Sequence, residues 1–345
     1  MSPSTITRVA LSSYVPAGNA KLSDFAVEQV PAPTKDQLKE GQVIVKPLYF
    51  SVDPYQRGRL SGATDSYVAS YVKGQPITNF LVGAIAESSS KDFKQGDLVL
   101  ASNGSWETEY ITDASAISKA PVQQRVDPKD YVGVLSMPSF TAYVGAAVLA
   151  KPKAGETILV SSASGAVGQM VVQLAKARGL RVVGVAGSDE KVEYVKSLGA
   201  DAAFNYKTCG DFTKAIRGAA PEGIDIYFDN VGGEFLDAAL ANINTHARII
   251  ICGAISQYNA SSPDELYGVK NLTKVLVKKA TIQGFIITDY YSTPHFGEFT
   301  KEVSSLYHEG KIKYRLSETQ GLENGPQAIL DLFAGKNFGK SIIKA

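Results

Sequence analysis

The residues of this chain that can do chemistry lie in a few short runs. Ile158–Gly168 (ILVSSASGAVG) places Ala163, Gly165 and Gly168 in a small-x-Gly-x-x-Gly pattern, with Ala166 and Val167 between the two glycines. Small residues at this spacing let backbone approach a pyrophosphate. A helix starting at the last glycine adds unpaired N–H groups and the positive end of its dipole. Any tight strand–helix turn can carry such a pattern. Here it follows an apolar strand and precedes a helical stretch, and that placement predicts a dinucleotide site.

The end of the next strand distinguishes the two nicotinamide dinucleotides. An NAD site puts Asp or Glu about 20 residues beyond the glycines, to accept the ribose hydroxyls. This chain has Val185-Ala186-Gly187-Ser188 there, with no carboxylate at the corner, and Lys191 three residues after Ser188. Lys191 can turn towards a 2′-phosphate, or it can simply solvate a helix face; Tyr206, after the third strand, can pack or hydrogen-bond at the same corner. NADPH is the expected coenzyme.

A catalytic zinc needs three protein ligands drawn from His, Cys and carboxylate. The first 200 residues contain neither Cys nor His; the histidines are His246, His295 and His308, the cysteines Cys209 and Cys252, and no CxxC pair exists. The expected metal content is none. No Gly-x-Ser-x-Gly elbow is present either, and Ser164-Gly165 belongs to the glycine turn. Polarisation of a substrate then falls to hydrogen bonds, and tyrosine is abundant, with 17 copies. Tyr258 follows the fifth apolar run in CGAISQYN, at the strand edge where such sheets bind ligands, and Tyr55 lies in the Pro-bearing loop SVDPYQRGRL. By sequence logic alone, a tyrosine at either position is more often structural than catalytic.

These residues need elements to position them. The 345 residues correspond to roughly two domains. From Ile6 to about Val126 short strands alternate with turn residues, as in Gly41–Leu48, Phe80–Ala86, Asp97–Ala101 and Thr108–Ile111, which predicts an irregular β-rich unit. After Pro128 short apolar runs alternate with helical stretches. The runs are Thr157–Ser161, Arg181–Val185, Ala202–Phe204, Ile224–Phe228, Arg248–Cys252 and Ile282–Ile287. Their length and β-branched content suit strands buried on both faces of a parallel sheet. Val167–Arg178 keeps Val167, Met170, Val171, Leu174 and Ala175 on one helical face, with Gly179 placed to end it. Ser188–Leu198 starts on a Ser cap and stops before Gly199. The expected fold is α/β, a doubly wound Rossmann sheet over 129–310 with a β-rich unit over 1–128. The final residues, 311–345, end in a short strand, Lys340–Ile343, able to pair back onto the first unit.

Composition narrows the partners. Lys plus Arg is 35 and Asp plus Glu 34, so a net charge of +1 provides no field for nucleic acid or an anionic membrane surface. No stretch approaches the roughly 20 apolar residues of a membrane span. The opening residues lack a signal-peptide core, and two cysteines suit a reducing compartment, so a cytoplasmic protein is expected.

Taken together, Ser51–Leu60 (SVDPYQRGRL), Met137–Tyr143 (MPSFTAY), Ala163–Gly168 (ASGAVG), Gly187–Lys191 (GSDEK), Phe204–Thr208 (FNYKT), Asp229–Gly233 (DNVGG), Cys252–Asn259 (CGAISQYN) and Gly335–Ala345 (GKNFGKSIIKA) resemble the zinc-independent medium-chain dehydrogenase/reductases. The nearest branch is the leukotriene hydroxydehydrogenase/prostaglandin reductase and alkenal double-bond reductase group, and the match runs along nearly the whole chain. The resemblance implies a GroES-like catalytic domain, built from the N-terminal part and the C-terminal tail, around the Rossmann domain. It also implies NADPH-dependent reduction of the carbon–carbon double bond of α,β-unsaturated ketones or aldehydes by a homodimer.

Coenzyme contacts carried over by the resemblance fall on Gly165, Ala166, Val167 and Gly168, on Gly187, Ser188 and Lys191, and on Tyr206 and Asn230. They continue through Cys252, Gly253, Ala254, Ile255, Ser256 and Tyr258, then Phe285, Ile286 and Ile287, and finally Asn337. Tyr258 corresponds to the tyrosine that acts on the substrate oxygen, and Tyr55 to one that faces the substrate. Two departures stand out: Gln56, where relatives commonly carry Met, and Ser139-Phe140, where Gly-Leu or Gly-Phe is usual. A quinone reductase of the same superfamily and an idle NADPH-binding protein are the alternative expectations.

Overall fold

The computed structural model describes residues 4–121 and 126–345. The first strands are β1 (Thr5–Leu11), β2 (Phe25–Pro31), β3 (Gln42–Ser51), β4 (Thr78–Ser88), β5 (Leu98–Ser105), β6 (Tyr110–Asp113) and β7 (Ser118–Lys119). Six more follow: β8 (Thr157–Val160), β9 (Arg181–Ala186), β10 (Ala202–Asn205), β11 (Ile224–Asp229), β12 (Ile243–Ile251) and β13 (Thr281–Gly284). The chain closes with β14 (Leu316–Gln320) and β15 (Lys340–Lys344). Two compact units result, one from Met1–Ser136 with Leu316–Ala345 and one from Met137–Arg315.

The second unit holds a six-stranded sheet in the order β10-β9-β8-β11-β12-β13, with every pair parallel. This is the doubly wound order, and it reverses between β8 and β11, so the crevice at the carboxyl ends of those strands is where ligands bind. β8 is buried at all four positions because it lies at the centre of the sheet. The edge strands differ from the expectation of burial on both faces: β10 is half-buried and β13 exposed throughout, since each has a neighbour on one side only. β12 begins at Ile243, five residues before the apolar run that marks it. Its register with β11 shifts between Ile224 and Ile226, and His246 takes a left-handed φ of 65° at the irregularity.

The helix Gly168–Ala177 packs through buried Met170, Val171, Leu174 and Ala175, the apolar face its spacing predicts, and Gly179 leaves it at φ 76°. In the helix Asp189–Ser197 the Ser188 hydroxyl caps the first turn, accepting from Lys191 N at 3.3 Å. The core of this unit gathers Leu159, Val183, Val185, Ile216, Tyr227 and Phe235 with Leu240 and Ile249.

The first unit carries a seven-stranded sheet ordered β14-β15-β3-β4-β5-β7, with β6 also on β3, and a β1–β2 hairpin beside it. The C-terminal strand β15 lies antiparallel to β3 and parallel to β14. Its Ile343 joins Phe50, Leu81, Trp106, Leu322 and Ile329 in a core where the Phe50 and Trp106 rings lie 5.9 Å apart. Among the described residues no helix is long and apolar enough to cross a membrane.

Candidate functional site

The first part of the site is the turn between β8 and the helix Gly168–Ala177. Ala163 N donates to Val185 O at 2.8 Å, Gly165 N to Ser162 O at 2.9 Å, and Ser162 itself is left-handed at φ 50°. A Cβ on Gly168 would stand 2.7 Å from Ala163 Cα, so only glycine allows the helix to start this close to the strand. A Cβ on Gly165 would meet the mobile Ser162 hydroxyl at 3.0 Å. Val167, at the N-cap, supplies no side-chain cap, so the helix start relies on other acceptors.

The second part is the corner after β9. Tyr206 N donates to Ala186 O at 3.0 Å, and the Tyr206 ring lies so close over Gly187 that a Cβ there would come within 2.9 Å of it. The neighbouring Lys207 ammonium lies 6.0 Å from the centre of that ring. Lys191 is half-buried. Burial first, and the Lys207 charge second, hold its ammonium below the usual lysine range against the pull of Glu190. Asp189 is turned away to accept from Asn205 Nδ2 at 2.9 Å. Two cations and an aromatic ring around a bare Gly187 suit a phosphate better than a ribose diol.

The third part joins the ends of β11 and β12. Asn230 is pinned by two bonds to Ser161, N to Oγ at 2.9 Å and Nδ2 to the carbonyl at 2.8 Å, and its own carbonyl accepts from Ile255 N at 3.3 Å. Cys252 N and Gly253 N both donate to the Asp229 carbonyl, at 2.8 and 3.1 Å, and Ser256 Oγ to Val231 O at 2.7 Å. The Tyr258 hydroxyl reaches Gly253, where a Cβ would stand 3.1 Å from it, and its oxygen accepts from Ala254 N at 3.1 Å. With that lone pair used, the phenolic proton is the group Tyr258 has to give. Burial pushes the Tyr258 phenol above its usual value, so it stays protonated at neutral pH. Burial likewise pushes the Cys252 thiol up to about 12, which makes it an inert packing residue. Phe285, Ile286 and Ile287 leave the sheet just past β13, whose Gly284 pairs with Ile251, and Phe285 sits edge-on to Tyr290 at 6.3 Å. A π-helical segment, Val144–Leu149, reaches the same place. A Cβ on its Gly145 would collide with Phe228 and Phe285.

Tyr55 and Asn337 belong to the other unit. The Asn337 amide donates to Gly339 O at 2.9 Å. Tyr55 donates to Asn79 Oδ1, and Asn79 in turn donates to Ser51 O at 2.8 Å and to Asp53 Oδ2 at 3.0 Å. Lys340 lies 3.1 Å from Asp53 Oδ1 and donates to Val52 O at 2.6 Å, and both side chains are buried. Gln56 is also fully buried. It accepts from Asp53 N at 2.8 Å and donates to Tyr71 Oη at 3.1 Å, a pair of bonds that a methionine at this position could not make. The other departure differs in kind: the Ser139 hydroxyl is buried without a partner, while Phe140 packs its ring 5.0–5.2 Å from Tyr291, Phe296 and Phe299.

Sequence reasoning missed Asn79, Asp53 and Lys340, for which no local pattern exists, and Lys207, which a tally of basic residues beside Tyr206 would have found. Among the described residues no group of three or more His, Cys, Asp or Glu side chains converges as a metal site.

Comparison with known proteins follows the two units. A family model described as zinc-binding dehydrogenase matches residues 166–305, and one described as N-terminal domain of oxidoreductase matches residues 8–120. The NADP(+)-dependent 2-alkenal reductase of Nicotiana tabacum is 42% identical over 337 residues, covering 97% of this chain and 96% of the relative. Prostaglandin reductase 1 of Bos taurus is 39% identical over 325 residues, with 94% of each covered. Among solved structures, CurA from Vibrio vulnificus in complex with NADPH superposes with a TM-score of 0.90 at 37% identity, covering 98% of this chain and 99% of that one. The chain therefore belongs to the medium-chain dehydrogenase/reductase family, in its zinc-independent branch of leukotriene hydroxydehydrogenase/prostaglandin reductases and alkenal double-bond reductases.

Proposed function

We propose that this protein is an NADPH-dependent, zinc-independent ene-reductase of α,β-unsaturated ketones and aldehydes. The coenzyme is NADP(H). Its pyrophosphate fits the Gly165–Gly168 turn, its 2′-phosphate the corner of Ser188, Lys191 and Tyr206, and its nicotinamide end Asn230, the Cys252–Tyr258 loop and Phe285–Ile287, while Asn337 is assigned to the coenzyme by the family resemblance alone. The glycines that a Cβ would fill, and the half-buried Lys191 beside Lys207, are what make these residues fit that group. When bound, NADPH supplies the hydride that adds to the β-carbon of the substrate.

The chain's own task is to receive the charge that develops on the carbonyl oxygen. Tyr258 carries that reading: its oxygen is engaged by Ala254 N–H and its proton remains to be donated, so the hydrogen bond to the oxyanion needs no rearrangement. The family resemblance assigns Tyr55 to the substrate. The exposed apolar strip Leu272, Leu276, Val277 and Ile282, which ends on the edge strand β13, supports a homodimer. The two free cysteines suit a reducing compartment such as the cytoplasm.

An anaerobic NADPH-oxidation screen over an enal, an enone, a quinone and a simple ketone, with product identification, tests this function. The expected product is the saturated aldehyde or ketone. Turnover of the quinone alone, or formation of an unsaturated alcohol, would refute it.

A further inference from the structure

We propose that the hydrogen bond from Tyr194 to the buried Gln169 sets this protein's preference for NADPH over NADH. It holds Lys191 in register with the glycine turn, through two residues that the phosphate corner does not include. The inference rests on the reading of Ser188, Lys191 and Tyr206 as the 2′-phosphate corner.

Gln169 is the second residue of the helix Gly168–Ala177 and is fully buried. Its partners fix which way its amide points. Arg315 N donates to Oε1 at 2.9 Å and Arg315 O accepts from Nε2 at 3.2 Å, and backbone groups cannot exchange those roles. Oε1 is therefore the atom that faces Tyr194, 2.6 Å away, and the Tyr194 hydroxyl is the donor. Burial pushes that phenol up to about 12, so its proton stays in place at neutral pH. One turn further on, Gln173 repeats the pattern with Lys313, accepting from its N and donating to its O, both at 2.8 Å. The two glutamines thus act as a strand partner for residues 313–315, and Gln169 also reaches across to the next helix.

That helix, Asp189–Ser197, carries Lys191. Lys191 and Tyr194 are three residues apart and share one face, the face turned towards the start of the helix Gly168–Ala177. Beneath it, a Cβ on Gly184 of β9 would collide with Val195 and stand 3.1 Å from Ala163 Cβ, so this helix and the glycine turn rest on the same point of the sheet. The acidic residues of its first turn are engaged by other partners. Asp189 accepts from Asn205 Nδ2 at 2.9 Å, and Glu190 lies 3.5 Å from the Arg315 guanidinium. Without the Tyr194 bond the helix can slide on Val192 and Val195, whose apolar contacts are non-directional, and carry Lys191 away from a phosphate anchored at the turn. NADH has no 2′-phosphate and does not sense that shift. Gln169 and Tyr194 are positioning residues in this scheme, and Gln173 serves stability.

The test is calorimetric affinity for NADP+ and for NAD+, with thermal unfolding of the coenzyme-free protein. Tyr194→Phe removes only the donor and leaves Gln169 bonded to Arg315. It should weaken NADP+ by about threefold to tenfold, the range of one lost neutral hydrogen bond, and NAD+ by less than about twofold. Gln169→Met should do the same and also lower the melting temperature, because it loses the Arg315 bonds. Gln173→Met gives up Lys313 but keeps the Tyr194 bond, so it should lower the melting temperature and leave the ratio of the two affinities unchanged. Tyr194→Phe/Lys191→Ala should bind NADP+ within about twofold of Lys191→Ala alone, since an effect carried by Lys191 cannot be lost twice. Equal weakening of NADP+ and NAD+ by Tyr194→Phe, no change in either, or penalties that multiply in the double variant would overturn this inference alone. An equal effect of Lys191→Ala on the two coenzymes would overturn the phosphate corner, and this inference with it. If Gln169→Met does not fold, Tyr194→Phe and the double variant still decide the matter.

Discussion

Replacing Lys191 by alanine isolates coenzyme choice from the rest of the reaction. In the free protein its ammonium is half-buried, with burial and the Lys207 charge holding its pKa down against Glu190. A charge-assisted hydrogen bond to a phosphate contributes about 1.5–3 kcal/mol, equivalent to roughly a 10- to 150-fold change in affinity. Lys207, beside the same Tyr206 ring, retains part of the attraction, so the single variant should fall near the lower end and Lys191→Ala/Lys207→Ala towards the upper. NADH lacks the 2′-phosphate and should bind either variant as it binds the parent. The assay is the Michaelis constant for each coenzyme at saturating enone, with direct titration of NADPH fluorescence as a check. An equal rise for NADPH and NADH would refute the corner assignment and reduce Lys191 to a solvated helix residue.

Five further outcomes follow from the geometry. Gly168→Ala forces a Cβ against the backbone of Ser162 and Ala163 and should lower stability by about 1–3 kcal/mol, read by urea unfolding. Gly165→Ala meets the rotatable Ser162 hydroxyl at 3.0 Å and the Ser162 carbonyl at 3.2 Å, a milder conflict than at Gly168, and should fold while weakening NADPH binding. Tyr258→Phe should lower kcat by about 10²–10³-fold, since it removes one oxyanion donor. Because burial moves the Tyr258 phenol above about 10, the donor form persists as pH rises, and kcat/KM should stay level to about pH 10; an alkaline loss centred well below that would count against its role. Leu276, 81% exposed in the apolar strip, should when changed to Asp shift sedimentation towards the monomer, and an unchanged sedimentation coefficient would place the subunit contact elsewhere.

What could be read directly from the amino acids was what is local. The six runs from Thr157 to Ile287 mark six strands because β-branched apolar runs of that length have few other uses, and Gly179, Ser188 and Gly199 end or start helices for stereochemical reasons. Burial was less legible. Ile282 looks like a core residue by type, yet it lies on the edge strand β13, and no run of residues records how many neighbours a strand will have. The start of β12 was hidden because Asn244, Thr245 and His246 break the apolar pattern where its register slips. In the site, the glycine turn and Lys191 are set by spacing within about thirty residues. The network behind Tyr55 is not, because Lys340 in KSIIK reads as the solvated member of an alternating strand. Only the pairing of β15 with β3 turns it inward onto Asp53.

That pairing also bears on how the polypeptide is assembled. Lys340 donates to the carbonyl of Val52 across a separation of 288 residues, and β15, paired between β14 and β3, sends Ile342 and Ile343 into two separate cores. Emerging from the ribosome, β3 can pair with β4 on one side and, over Gln42–Val45, with β6 on the other, but its Tyr49–Ser51 end has no partner until β15 is made, whereas Met137–Arg315 is contiguous and can acquire its structure first. Closure over so long a loop is slow, and an open β3 edge is a site for pairing with the wrong chain while it waits. Tags or truncations at the C-terminal end would therefore be felt as aggregation during expression before any loss of turnover was measured.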